Sequence, residues 1–198
     1  MRFFLKRRKV IVGVWAGFFT AMLLLFPFLS DAEELDGFDD NQWYIPIIVK
    51  NMQQHEVTIS NVIFAAEAAG NGIAIGFTFA DNGIEVTLIR DGEILRVDCS
   101  PVTGDVITVG TLKFLHSILA QITNRYNSLK AVKVSLREAI AIAENSENGF
   151  AYKAHVEYYD SWANYEIQMV VNNKLLQIII DPENGRIVGR RRGRFDEH

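Results

Sequence analysis

The sequence predicts an α+β protein with two tandem copies of a helix packed on a four-stranded antiparallel sheet, preceded by one N-terminal hydrophobic helix. Three observations support this prediction. Residues 10–29 form an uncharged apolar run, and two later segments pass from helical to alternating hydrophobic periodicity. Similar turn sequences, "SPVTG" at 100–104 and "DPENG" at 181–185, lie near the end of each segment. The same signals repeated in the same order indicate a duplicated unit.

The composition bounds the class of protein. The chain has 198 residues, of which 49% are hydrophobic and 22% are charged, as is typical of globular domains. Its net charge is −4, and residues 1–32 contribute five positive charges and one negative charge, so the remainder carries −8. An acidic body argues against nucleic acid as a partner. The single cysteine, Cys99, cannot form an internal disulfide and is predicted to be a buried packing residue.

Residues 1–32 are predicted to be an N-terminal membrane anchor or signal peptide. A basic segment precedes the run at 10–29, which as a helix is about 30 Å long and can cross a bilayer. The basic flank favours a cytoplasmic N-terminus with the body outside the cytoplasm. Two alternatives stay open. A retained anchor makes a single-pass protein of the cell membrane, whereas cleavage near Ala32 makes a periplasmic or secreted protein.

Residues 33–56 are interpreted as an acidic tether and docking segment. The stretch "EELDGFDDNQ" is acidic and poor in apolar residues, which is typical of a solvated tether. The following "WYIPIIV" at 43–49 is apolar, and Pro46 excludes it from a helix interior. This segment either covers a surface of the domain that follows or binds a partner as an added strand.

The two copies are predicted at 57–110 and 134–189. In each, apolar residues recur at helical spacing after a capping residue, Thr58 in the first copy and Ser135 in the second. Glu138 stands three residues after Ser135 and completes a capping box. Asn-Gly pairs at 71–72 and 148–149 end the helices, and alternating strands joined by short turns follow. Pro and Gly in the closing turns reverse the chain in both copies.

The second copy resembles the PepSY domain, a module with a Ser-capped helix and a closing strand–Asp–turn–strand motif. The matching residues are Ser135, Glu138, Ala139, Ile140, Ala143, Asp181, Asn184, Gly185 and Ile187. The first copy departs from the motif at Asn61, Val62 and Ser100, which puts a binding role shared by both copies in doubt. The resemblance implies a bacterial, extracytoplasmic module of the kind found in peptidase propeptides and in proteins thought to restrain peptidases.

Two further segments complete the predicted organisation. Residues 111–133 carry apolar residues on one helical face and are predicted to be a linking amphipathic helix. Residues 190–198 are rich in arginine and glycine and are predicted to be a basic flexible tail.

No pattern in the sequence indicates catalysis. The histidines lie far apart, no nucleophile motif occurs, and no cofactor or metal ligand set is predicted. We therefore expect that the chain is not an enzyme.

Aromatic residues are enriched in binding hot spots. The strongest binding candidate is therefore the first hairpin of copy two, which is rich in aromatic residues and four residues longer than its counterpart in copy one. Its candidate partner-binding residues are Tyr158, Tyr159, Trp162 and Tyr165, which alternatively fold back onto the sheet.

The leading functional prediction is a non-catalytic extracytoplasmic binding protein that regulates or inhibits a peptidase or another envelope protein. Its expected partner is a protein, with the membrane contacted through residues 10–29 and no nucleic acid involved. The predicted contact surface is a sheet edge or the hairpin at 158–165. Two alternatives remain: a ligand- or envelope-sensing module, and a structural spacer in an envelope assembly.

Overall fold

The computed structural model describes residues 44–112, 131–159, 162–172 and 174–192. Within these ranges the chain forms three helices and eight strands. In chain order they are α1 (Ile45–Gln54), α2 (Ile59–Gly70), β1 (Ile73–Ala80), β2 (Gly83–Arg90), β3 (Glu93–Cys99), β4 (Val106–Leu112), α3 (Leu136–Glu147), β5 (Phe150–Tyr159), β6 (Trp162–Val171), β7 (Lys174–Ile180) and β8 (Ile187–Arg192).

The predicted fold class, two tandem helix-on-sheet copies, is wrong. All eight strands form one antiparallel sheet in the order β4-β3-β2-β1-β5-β6-β7-β8. The two halves join because β1 pairs with β5, with Phe77 opposite Ala154 and one further pair on each side. We call this β1–β5 pairing the seam. It leaves each half without a separate sheet.

The seam has the symmetry of the sequence repeat. Phe77 and Ala154 occupy corresponding positions of the two halves, since residues of β1 and β5 correspond at an offset of 77. The pairs of Gly76 with His155 and Thr78 with Lys153 lie symmetrically on either side. The two halves are therefore related by an approximate two-fold axis that passes through the central pair.

The hydrophobic core also runs across the seam. Helix α2 lies against β1 to β4, α3 lies against β1 and β5 to β7, and the two helices contact each other. Apart from Ile94 and Ile179, the buried apolar residues of both halves belong to one cluster. Phe79 and Phe150, on strands from different halves, have ring centroids 6.1 Å apart. Burial of this shared apolar surface gives both halves a common source of stability.

Local signals in the sequence produce the helix ends as predicted. The side chains of Thr58 and Ser135 accept hydrogen bonds from the third residue of their helices, at 3.2 Å and 3.3 Å. Glu138 completes the capping box by accepting the Ser135 backbone N–H at 2.8 Å. Asn71 and Asn148 end the helices in the left-handed conformation, each with a φ of 50°.

The two closing turns have the same geometry. The N–H groups of Gly104 and Gly185 donate to the carbonyls of Ser100 and Asp181 at 2.9 Å and 2.8 Å. Both glycines have a positive φ, of 76° and 72°. The Ser100 hydroxyl accepts two backbone N–H groups, as the Asp181 carboxylate accepts the N–H of Glu183. Asp181 thus caps its turn, and Ser100 performs the same role in copy one.

Helix α1 contains most of the apolar segment at 43–49, which was predicted either to cover the domain that follows or to bind a partner as an added strand. Residues 45–54 are helical, and Pro46 lies in the first turn, where its missing N–H costs no intrahelical bond. Ile45, Ile48 and Met52 are buried in the shared core, and α1 contacts both β1 and β5. This helix therefore covers the seam, in line with the alternative that the segment covers the domain that follows.

Two predicted boundaries differ from the structure. Strand β4 extends to Leu112, so the first two residues of the linking helix predicted at 111–133 belong to the sheet. Strand β8 includes residues 190–192 of the predicted basic tail, because they pair with β7. The four extra residues of the β5–β6 hairpin lengthen each strand by two residues and do not lengthen the connection. The rest of the linking helix and of the tail lies outside the described residues.

The predicted membrane segment at 10–29 also lies outside the described residues. In the ranges that the structure describes, none of the helices is both long and apolar enough to span a bilayer.

Candidate functional site

Neither a metal-binding cluster nor a reactive cysteine occurs among the described residues. No cluster of His, Cys, Asp and Glu side chains within them is arranged to hold a metal ion. Cys99 is fully buried, and burial raises the pKa of its thiol to about 11, which opposes formation of a reactive thiolate. His155 lies 3.5 Å from Glu157 on the same strand, an arrangement typical of a surface ion pair. The absence of enzyme activity stays a prediction.

A shallow cleft of about 260 Å³ lies between the end of α2 and the β2–β3 turn. Two of its three charged side chains, Arg90 and Glu67, are already engaged. The Arg90 guanidinium donates to the carbonyl of Gly70 at 3.1 Å and to Glu93 at 3.0 Å. The Glu67 carboxylate accepts the N–H of Ala74 at 3.0 Å. These bonds serve the fold, so the cleft is a weak candidate for a ligand site.

The predicted aromatic site is divided between the core and the end of a hairpin. Tyr165 is 2% exposed, and its hydroxyl donates to the Val134 carbonyl at 2.8 Å. Its position is therefore structural, in contrast to the predicted contact with a partner. Tyr158 is half-buried and packs against the core cluster. Tyr159 and Trp162 are paired at the end of the hairpin, and their side chains lie outside the described structure.

The two outer edges of the sheet provide a second candidate surface. Strand β4, at one edge, has the sequence VITVGTL and carries no charged residue. Its side chains are exposed from residue 107 to residue 111, with Ile107 61% and Val109 46% exposed. Natural sheets usually protect such an edge with charged residues, proline, a bulge or a covering element. Strand β4 carries neither a charge nor a proline, and its bulge at Ile107, opposite Asp98 and Cys99, leaves residues 108–112 regularly paired with β3.

Strand β8, at the opposite edge, is protected by charge. It has the sequence IVGRRR, and Arg190, Arg191 and Arg192 stand where β4 has Val109, Gly110 and Thr111. The Arg190 guanidinium pairs with Glu147 at the end of α3, with an N–O distance of 2.7 Å. A strand added beside β8 would have to pack against three cationic side chains. The two edges therefore differ in their capacity to accept a partner strand.

On the face of the sheet away from the helices, polar contacts hold β4 in place. The Thr108 hydroxyl donates to Asp98 at 2.7 Å, and Arg96 contacts Asp98 at 2.9 Å and Glu85 at 3.1 Å. The Thr108 hydrogen bond, followed by the bond from Arg96, lowers the pKa of Asp98. These bonds link β2, β3 and β4, so the open edge is backed by an ordered strand pair.

The sequence reasoning missed two features of the structure. Glu67 and Glu144, at corresponding positions of α2 and α3, each accept a backbone N–H at a β-bulge, from Ala74 and Ala151 at 3.0 Å. Their identity at the repeat offset of 77 was the available signal. The open edge was the second feature. Its signal was the uncharged run at 106–112, bounded by Asp105 and Lys113.

Fold and surface together define a helix-covered antiparallel sheet with one uncharged and exposed edge strand. No family model matches the chain. No curated protein matches it either.

Solved structures give weak likenesses. A candidate lipoprotein from Clostridium difficile has 15% identity and a TM-score of 0.42, covering 66% of this chain and 88% of its own. A DUF2874 family protein from Bacteroides ovatus has 14% identity and a TM-score of 0.26, covering 68% and 87%. A candidate periplasmic protein from Bacteroides eggerthii has 18% identity and a TM-score of 0.25, covering 68% and 88%. Likenesses at this level support no inference about function.

Proposed function

We propose that this chain is a non-catalytic, extracytoplasmic binding protein of the PepSY type that regulates or inhibits a peptidase or another envelope protein. The observation that carries the proposal is the open edge at β4, where uncharged, exposed residues form the outermost strand. An extended segment of a partner can add to such an edge, since the main-chain groups of the strand offer ready hydrogen bonds.

Location outside the cytoplasm rests on the N-terminal sequence. The basic segment before the apolar run at 10–29 favours a cytoplasmic N-terminus, which puts the sheet on the other side of the membrane. The PepSY resemblance of residues 134–189 supports the same compartment and the peptidase partner. Neither support depends on the weak structural likenesses.

The experiment uses the full chain as bait in membranes from the source cells, with crosslinking and mass spectrometry of the captured proteins. Val109→Lys places a charge on the open edge, and Val188→Lys is the matched control on β8, where Val188 is 57% exposed. We expect a peptidase or envelope protein to be captured by the wild type and by Val188→Lys. Val109→Lys should reduce that capture by about tenfold, because a lysine on the edge opposes strand addition.

A double variant, Tyr159→Ala with Trp162→Ala, tests the hairpin at the same time. Equal capture by the wild type and both lysine variants, together with loss in the double variant, would move the binding surface to the hairpin. If no variant captures a specific protein, the regulatory proposal is overturned. Thermal-shift screening with small ligands would then test the sensing alternative. Unfolding curves of each variant control for loss of the fold.

A further inference from the structure

We infer that a second copy of this chain occupies the β4 edge when no other partner does, through antiparallel pairing of β4 with β4 about a two-fold axis at Val109. The inference rests on the proposed function in one respect, since both assign strand addition to this edge. It adds a regulatory consequence. Because one edge accepts one strand, self-pairing and partner binding exclude each other.

The composition of β4 suits pairing with itself. In a two-fold pairing, each residue meets the residue at its mirror position, so a run of like charges on the strand meets the same run on its copy. Strand β4 carries no charge, and five of its seven residues are β-branched, which favours extended structure. In β8 the same operation would bring Arg190, Arg191 and Arg192 close to their copies. The charge pattern therefore selects β4 for self-pairing and opposes it at β8.

The seam inside the chain is a precedent for this geometry. There, two halves of similar sequence join edge to edge in antiparallel orientation, centred on the corresponding residues Phe77 and Ala154. A β4–β4 pairing repeats the arrangement with two identical strands. Centring it on Val109 places Thr108 opposite Gly110, within the part of β4 that pairs regularly with β3.

This register also continues a row of buried side chains. Across the sheet, Phe77 lies opposite Val86, Val86 opposite Val97, and Val97 opposite Val109. The first three side chains are buried, whereas Val109 is 46% exposed. Pairing with a second Val109 completes the row and removes apolar surface of both copies from water.

The arginine edge limits the assembly to two copies. A dimer through β4 has a β8 strand at each end of its extended sheet. Each end then presents the arginine side chains, which discourage addition of a further strand. A closed dimer is therefore expected, and not a filament.

Site-specific disulfide formation in the full chain, in detergent or in its membrane, tests the register. Val109→Cys places two thiols directly opposite, with Cα atoms about 4.5–5.5 Å apart, within the range of a disulfide. Val188→Cys on β8 is the matched control, and the wild type controls for Cys99, which is buried. At equal concentration, we expect Val109→Cys to form covalent dimer about tenfold faster than Val188→Cys.

A mixed experiment sharpens the test. Gly110→Cys alone should crosslink poorly, because its copy is displaced two residues along the strand, roughly 7 Å in that direction and beyond the reach of a disulfide. Mixing it with a differently tagged Thr108→Cys chain should restore crosslinking, because these two positions face each other. Analytical ultracentrifugation provides a measurement that needs no cysteine. The wild type should sediment as a dimer and Val109→Lys as a monomer.

Two results overturn the inference: a wild type that sediments as a monomer, or crosslinking at Val109→Cys that does not exceed that at Val188→Cys. These failures are distinguishable from failure of the proposed function. A monomeric chain that still loses its captured partner in Val109→Lys refutes self-pairing and leaves partner binding intact. A dimer with the predicted register that captures no partner supports self-pairing and refutes partner binding.

Discussion

The outermost strands of the two halves, β4 and β8, follow turns of the same geometry and present opposite surfaces. The turns share their hydrogen bonds and a glycine with positive φ, at Gly104 and Gly185. Beyond them, β4 is uncharged and exposed, while β8 carries three consecutive arginines. Features that shape the backbone agree between the halves, and side chains at the outer edges differ. The backbone features that the two halves share therefore determine the sheet. The side chains of the outermost strands determine whether a partner strand can pair with it.

The largest expected effect tests whether the two halves share one core. Ile63 and Ile140 occupy corresponding positions of α2 and α3, and both are fully buried. Ile63→Ala and Ile140→Ala should each lower the free energy of unfolding by about 3 kcal/mol through lost burial and a cavity. Chemical denaturation followed by circular dichroism and by hydrogen exchange should show one transition for both variants. Two separate transitions, each sensitive to one variant, would mean that the halves fold independently.

The next effect concerns the seam. A Cβ atom at Gly76 would lie 3.1 Å from the Ala154 carbonyl oxygen on the neighbouring strand. Gly76→Val should therefore cost about 2 kcal/mol of stability by forcing β1 and β5 apart. Gly110→Val is the matched control, because a Cβ at Gly110 meets no atom within 4 Å. Urea denaturation of both variants measures the difference, and equal midpoints would show that the seam tolerates separation.

A smaller difference is expected between the two helix caps. Ser135 belongs to a full capping box with Glu138, whereas Thr58 has only its own side-chain bond to the N–H of Asn61. Ser135→Ala should cost about 1 kcal/mol, and Thr58→Ala about half of that.

The substitution Asn61→Glu supplies the missing partner of Thr58, so it should stabilise copy one by a few tenths of a kcal/mol. Thermal unfolding of the three variants measures the order of effects. A stabilisation of the same size by Asn61→Gln would show that the reciprocal hydrogen bond, and not the added charge, is the cause. No effect in either variant would contradict this account of the cap.

The smallest expected effect depends on pH. Burial raises the pKa of Glu144, so the folded state holds its proton more tightly than the unfolded chain does. The resulting stabilisation is present below the ordinary pKa and is lost as pH rises through the raised value. Glu144→Gln keeps an acceptor for the Ala151 N–H without the charge. It should match the wild type at pH 3.5 and exceed it at pH 7 by up to about 1 kcal/mol.

The matched variant for this prediction is Glu67→Gln, which alters the corresponding hydrogen bond to Ala74. If both variants lose stability equally at every pH, the cause is the amide, which is a poorer hydrogen-bond acceptor than the carboxylate. If only Glu144→Gln gains stability at pH 7, the cause is removal of the buried charge. If Glu144→Gln shows the same pH dependence as the wild type, burial of this carboxylate does not influence stability.

The sequence by itself determined the local geometry of both halves. The helix caps at Thr58 and Ser135, the left-handed Asn71 and Asn148, and the closing turns were all predicted and all occur. Each depends on hydrogen bonds between residues that lie within a few positions of each other. Such interactions are decided by short sequence patterns, so they can be inferred without the rest of the chain.

Only the tertiary structure decided how the halves combine. Pairing of β1 with β5 joins residues 77 positions apart, and the alternating pattern of either strand is equally compatible with an edge and with a central strand. The same holds for the candidate site. Tyr165 carried the signal of a binding residue and lies in the core, while β4 became an open edge through strand order. Long-range pairing assigns each strand its neighbours, and those neighbours determine which side chains remain available to a partner.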